Sequence, residues 1–105
     1  MTRLKINIPL PQIEDFCRRW NIKELALFGS VLRDDFRPDS DVDFLVTFEE
    51  DTHWSLFDMF DIQDDLKEIM GREVDLVERR AVERSENYIR RRHILQSLEP
   101  VYVAG

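Results

Sequence analysis

A chain of 105 residues, 43% apolar and 35% charged, is long enough for one folded domain with a modest core. Its formal net charge of −7 argues against a protein built to grip nucleic-acid backbones, a task that needs a basic surface. No apolar run approaches the ~18 residues of a membrane span, the N-terminal MTRLKINIPLPQ lacks a signal-peptide core and so points to the cytoplasm, and the single Cys17 excludes an internal disulfide and a cysteine-based zinc site.

Residues 9–20, PLPQIEDFCRRW, predict a helix. Pro11 suits its first turn, and Ile13, Phe16, Cys17 and Trp20 recur at i, i+3, i+4 and i+7, which assigns the Cys17 thiol to the core. Asn21 is a fair stop. ELALFG predicts a short buried strand, and SVLRDDF a short helix with Ser30 at its N-cap. In DVDFLVTF, Val42, Phe44, Val46 and Phe48 alternate to one face of a strand, with Asp41, Asp43, Leu45 and Thr47 on the other. Ser55 and Asp58 make a capping-box pattern that opens a helix running through Met70 and ended by Gly71. REVDLVE predicts a third strand, with Val74 and Leu76 to one side and Asp75 to the other. Residues 82–98 predict a last helix, entered near Ser85, and VYVAG an edge strand after Pro100. The order is α, β, α, β, α, β, α, without repeats or low-complexity segments.

Charge is segregated along the chain. Residues 49–68 carry eight carboxylates against Lys67, and residues 79–92 carry six arginines against Glu83 and Glu86. Solvated helix faces explain such runs as well as a partner or a nucleotide does. Trp54, Phe57 and Phe60, in HWSLFDMF, spread over more than one face, and any that are exposed would mark a contact site. His53 and His93 are forty positions apart with no cysteine partner, which makes them poor candidates for metal ligands.

The carboxylates at the start of the second strand are the chemical clue. Asp41 and Asp43 share a face about 7 Å apart, at ~3.3 Å per residue, and repel each other there. Asp is depleted in strands, so folding gains nothing from the pair. A divalent cation would neutralise it, and all-oxygen ligands suit Mg²⁺, which leans on water and substrate phosphates for the rest of its shell. Asp75, on another strand, would join them if the strands are neighbours, giving a centre that clamps the attacking and leaving oxygens of a phosphoryl displacement, with Asp75 also placed to take a proton. Gly29 lets the backbone approach a phosphate, Ser30 adds a hydroxyl, and Arg33 one turn on can reach phosphate or Asp35. Each piece alone has an ordinary explanation: a strand-to-helix turn, an Asp39-Ser40-Asp41 turn, a wet strand edge. The combination, in this order and strand context, is the signal.

GSVLR, SDVDF and VDLV together resemble the signature of the nucleotidyltransferase superfamily that includes DNA polymerase beta and the aminoglycoside nucleotidyltransferases. The small size resembles its minimal nucleotidyltransferase (MNT) branch, and the resemblance runs over nearly the whole chain. Gly29, Ser30, Arg33, Ser40, Asp41, Asp43 and Asp75 match, while Asp34 stands where glycine is common, in the turn after the short helix. The resemblance implies an α/β fold with a small mixed sheet flanked by helices, as one domain over 1–105. It implies catalytic, metal-holding roles for Asp41, Asp43 and Asp75 and nucleotide-holding roles for Gly29, Ser30, Arg33 and Ser40. Two Mg²⁺ ions and ATP as donor are implied as well. So is a partner, since MNT proteins are paired as antitoxins with helical HEPN toxins and transfer AMP to a toxin hydroxyl, here expected on tyrosine. Neither membrane nor direct nucleic-acid binding is expected. An antitoxin that masks its toxin by contact, with an idle metal site, is one alternative; an enzyme acting on a small molecule such as an aminoglycoside is another. The intact carboxylate trio favours catalysis over masking, and the absence of length for an acceptor pocket disfavours the small molecule.

Overall fold

Helix α1 (Leu10–Arg19) forms on the predicted apolar spacing and buries Ile13, Phe16 and Cys17. The computed structural model describes residues 8–29, 41–96 and 98–104. The expected short helix in SVLRDDF lies outside these. Asn21, at φ 55°, turns the chain out of α1 in a left-handed conformation that Asn tolerates. Strand β1 (Ile22–Phe28) comes next, starting two residues earlier than expected. Then come β2 (Val42–Phe48), α2 (Leu56–Met70), β3 (Val74–Glu78), α3 (Arg79–Glu83), α4 (Tyr88–Gln96) and β4 (Glu99–Val103).

The capping box of α2 is present in full. Ser55 Oγ accepts from the Asp58 N–H at 3.2 Å, and Asp58 Oδ2 accepts from the Ser55 N–H at 3.0 Å. Gly71, at φ 67°, ends the helix and donates to Lys67 O at 2.9 Å. α2 then carries the chain back so that β3 lies parallel to β2, the geometry for which a crossover helix is needed. The sheet order is β3-β2-β1-β4, with β1 antiparallel to both β2 and β4. The sheet is therefore mixed and flanked by helices, as the resemblance implied.

Both sheet faces are covered. On one, α1 and α2 bury Phe16, Cys17, Ile62 and Leu66 against Leu25, Leu27, Phe44 and Val46. On the other, a smaller cluster joins Phe28 and Leu45 to Val82 of α3 and Ile94 of α4. Leu45, expected opposite the core face, is buried because this second layer covers it.

The predicted single helix over 82–98 is corrected to two. Ser85 Oγ accepts from the Asn87 N–H at 3.2 Å, making a local turn that competes with helical pairing. Arg91 Nη1 donates back to Glu83 O and Ser85 O at 3.3 and 3.5 Å, stitching the break. The arginine run does not form one face either. Arg79 pairs with Glu24 at 3.7 Å and Arg80 donates to Glu50 O at 3.5 Å, whereas Arg84 and Arg92 point to solvent. Beyond α4, β4 forms the expected edge, and Pro100 sits at its register shift opposite Ala26, where a missing N–H is tolerated.

Candidate active site

Three strand ends meet at one end of the sheet. β1 runs into it, and β2 and β3 start from it, so the register sets Phe28 opposite Asp43 and Asp43 opposite Asp75 in a single row. In-register neighbours share a face. Asp43 and Asp75 therefore lie on the α3–α4 side of the sheet, where Phe28 enters the smaller core. Asp43 is half-buried and Asp75 exposed.

Gly29 closes the row from the β1 side. Its φ is +78°, and a Cβ built there would lie 2.5 Å from Asp43 Oδ2 and 3.4 Å from its Cγ. The space that a side chain would take is the space the Asp43 carboxylate occupies. Sequence reasoning missed this second duty of Gly29, because it depends on the β1–β2 register.

Asp41 stands just ahead of β2, exposed, while Val42 is the first residue in the ladder and donates to Glu73 O at 3.2 Å. The strand alternation expected to align Asp41 with Asp43 thus includes only Asp43. Ser30, Arg33 and Ser40 lie outside the described residues. Among the described residues, no group of three or more His, Cys, Asp or Glu side chains stands assembled to hold a metal ion. The donor set itself fits Mg²⁺, because it is all oxygen and reachable by water, and Mg²⁺ is ordinarily held by one or two carboxylates completed by water and substrate phosphate. Two positions along β3 from Asp75, Val77 leads into a cavity of about 160 Å³ that also touches Ser85, Arg91 and Ile94.

Comparison with known proteins gives the same reading of the fold. The sequence pattern of the Nucleotidyltransferase domain family matches residues 11–98. Protein adenylyltransferase MntA of Thermococcus cleftensis is 41% identical over 59 residues, 56% of this chain and 58% of that protein. The chain thus spans less than two thirds of the first curated relatives it matches. A solved structure provisionally named a minimal nucleotidyltransferase is 31% identical, with a TM-score of 0.66 over 87% of each chain. Two toxin–antitoxin complexes share the fold at lower identity. One, with AMP-PNP, has a TM-score of 0.69 at 17% identity over 91% of this chain and 74% of that one. The other, a tri-AMPylated Shewanella oneidensis HEPN toxin with its MNT antitoxin, has a TM-score of 0.59 at 16% identity over 90% and 70%. With its family pattern covering most of the sequence and its sheet matching theirs, the chain belongs to the nucleotidyltransferase domain family.

Proposed function

We propose that this chain is a Mg²⁺-dependent protein adenylyltransferase that acts as an antitoxin, moving AMP from ATP to a tyrosine hydroxyl on a HEPN-type helical partner. The observation that carries this is the row in which Asp43 faces Asp75 with Gly29 packed against it. Two carboxylates held side by side at an open sheet end offer folding little and suit a cation that a nucleotide brings. The adenylyltransferase name of a relative and the AMPylated HEPN complex of a neighbour support the substrate and the partner.

The chemistry balances as a displacement at the α-phosphorus. The acceptor oxygen forms the new P–O bond, the α–β bridge breaks, pyrophosphate leaves, and the acceptor proton passes to Asp75. Asp41, Asp43 and Asp75 would hold Mg²⁺, which when bound neutralises phosphate charge and polarises the phosphoryl group. Gly29, having no Cβ, lets the backbone approach the donor closely, and Ser30, Arg33 and Ser40 are its proposed phosphate contacts.

The test is to mix the protein with its cognate helical partner, Mg²⁺ and ATP labelled in the α-phosphate. Label moves to the partner, pyrophosphate appears, and mass spectrometry finds added AMP. Asp41→Asn/Asp43→Asn protein leaves no mark. If wild type also leaves none, and the double variant neutralises the partner equally well, the enzyme reading is wrong and masking by contact replaces it.

A further inference from the structure

Two helices carry five of the large apolar side chains that the described residues expose: Leu56, Phe57 and Phe60 on α2, and Tyr88 and Ile89 on α4. Phe57 is 80% exposed and Ile89 68%. No folding term rewards leaving them in water, at about 25 cal/mol per Å² of apolar surface. On each helix these residues occupy the first turns of the solvent face. Further along that face the two helices carry opposite charge. On α2 the next exposed residues are Asp61, Asp64 and Glu68, with Lys67 already tied to Glu73 at 2.7 Å. On α4 the next exposed cation is Arg92, and the turn before the helix exposes both Arg84 and Glu86.

The two exposed patterns also coincide in spacing. Positions 56, 57, 60, 61 and 64 of α2 are exposed, and so are 88, 89, 92, 93 and 96 of α4. At 100° per residue, each set makes a stripe about 140° wide. Laid side by side in parallel, the stripes match apolar turn to apolar turn and place carboxylates beside Arg92. The helices pack on opposite faces of the sheet, α2 through Ile62 and Leu66 and α4 through Ile94. One chain therefore cannot bring them together, but two chains can.

We infer that the α2 face of one copy docks against the α4 face of another, in a head-to-tail contact between copies of this chain. Such a contact is heterologous: each added copy leaves one α2 and one α4 face open, so it grows until a ring closes or a stack forms. The inference is independent of the proposed activity.

Sedimentation of the full chain tests it. Wild type shows a mass that rises with concentration past a dimer, and about 1 M salt, where charges are screened beyond ~3 Å, weakens the association. Phe57→Asp and Ile89→Asp, both at exposed positions and checked for folding by far-UV circular dichroism, are each monomeric. Mixed in equal amounts they form a 1:1 dimer that does not grow, because one keeps α4 and the other keeps α2. Wild type that stays monomeric overturns the inference and leaves the α2 face to a different protein. It is equally overturned if one of the two variants still dimerises alone, or if the mixture stays monomeric.

Discussion

Gly29 and Gly71 separate two effects that a glycine can carry. Both have left-handed φ, +78° and +67°, but a Cβ at Gly29 meets the Asp43 carboxylate and one at Gly71 meets nothing within 4 Å. Left-handed backbone costs an L-residue roughly 1–2 kcal/mol. Gly71→Ala should lower stability by about that amount in denaturant titration and leave transfer intact. Gly29→Ala should cost the same strain and also push the carboxylate out of its row, lowering transfer on the order of 100-fold, as misplaced catalytic groups do. Equal transfer rates in the two variants would remove Gly29 from the site. Cys17 is a residue whose chemistry is silenced by its place. It is fully buried, and burial first, then the nearby Glu14 charge, pushes its thiol up from 9.0 to about 12. The folded state therefore keeps a proton that the unfolded chain loses above pH 9, so this contribution to stability is full below pH 9 and falls as pH rises towards 12. The slope is at most about 1.4 kcal/mol per pH unit. Unfolding measured at pH 8.5 and 10.5 should show a loss that Cys17→Ala lacks, other groups cancelling in the comparison.

Helix α2 shows how much of an element short-range chemistry decides. Ser55 and Asp58 cap each other's backbone donors, and Gly71 supplies the left-handed stop, so both ends were legible as residue types at fixed offsets. Ser55→Ala should cost about 1 kcal/mol in a denaturant titration, the usual loss for an N-cap, and an unchanged midpoint would show that tertiary packing alone sets the helix start. The break between α3 and α4 was not legible, because the Ser85–Asn87 turn that makes it is held by Arg91 reaching back eight residues to Glu83 O, a contact no periodicity encodes. The aromatic cluster behaved in both ways at once. Trp54 is drawn inward, stacking edge-on to Trp20 at 5.3 Å and donating to Trp20 O at 3.1 Å. Phe57 and Phe60 stay out. The sequence pointed to more than one face for the three, but which would be buried depended on where Trp20 ended α1. Asp65 anchors that junction, accepting from Trp20 Nε1 at 2.9 Å and from Arg19 Nη1 at 2.6 Å.

At the scale of the whole molecule, the site exists because three strands end together. The parallel pairing of β2 with β3 brings Asp43 beside Asp75, a meeting that the sequence left conditional on the two strands being neighbours. The insertion of β1 between β2 and β4 was not, since pairing partners of a central strand are chosen by non-local burial. Asp75 is exposed, and the described residues assemble no three-ligand cage for a cation. On the proposed reading the row takes up its cation together with a nucleotide, and that coupling would read out as folding stability. A ligand at 100 times its Kd that binds only the native state adds about 2.7 kcal/mol. In a domain of this size that raises the melting temperature by roughly 10–20 °C, at 4–8 °C per kcal/mol. Mg²⁺ alone and ATP with chelator should each shift melting little, whereas the two together should give the full rise. Asp43→Asn should abolish the joint effect and keep the unliganded transition. A full shift with ATP in chelator would show that the triphosphate is held without the carboxylates, and the assignment of Asp43 to the metal would fail.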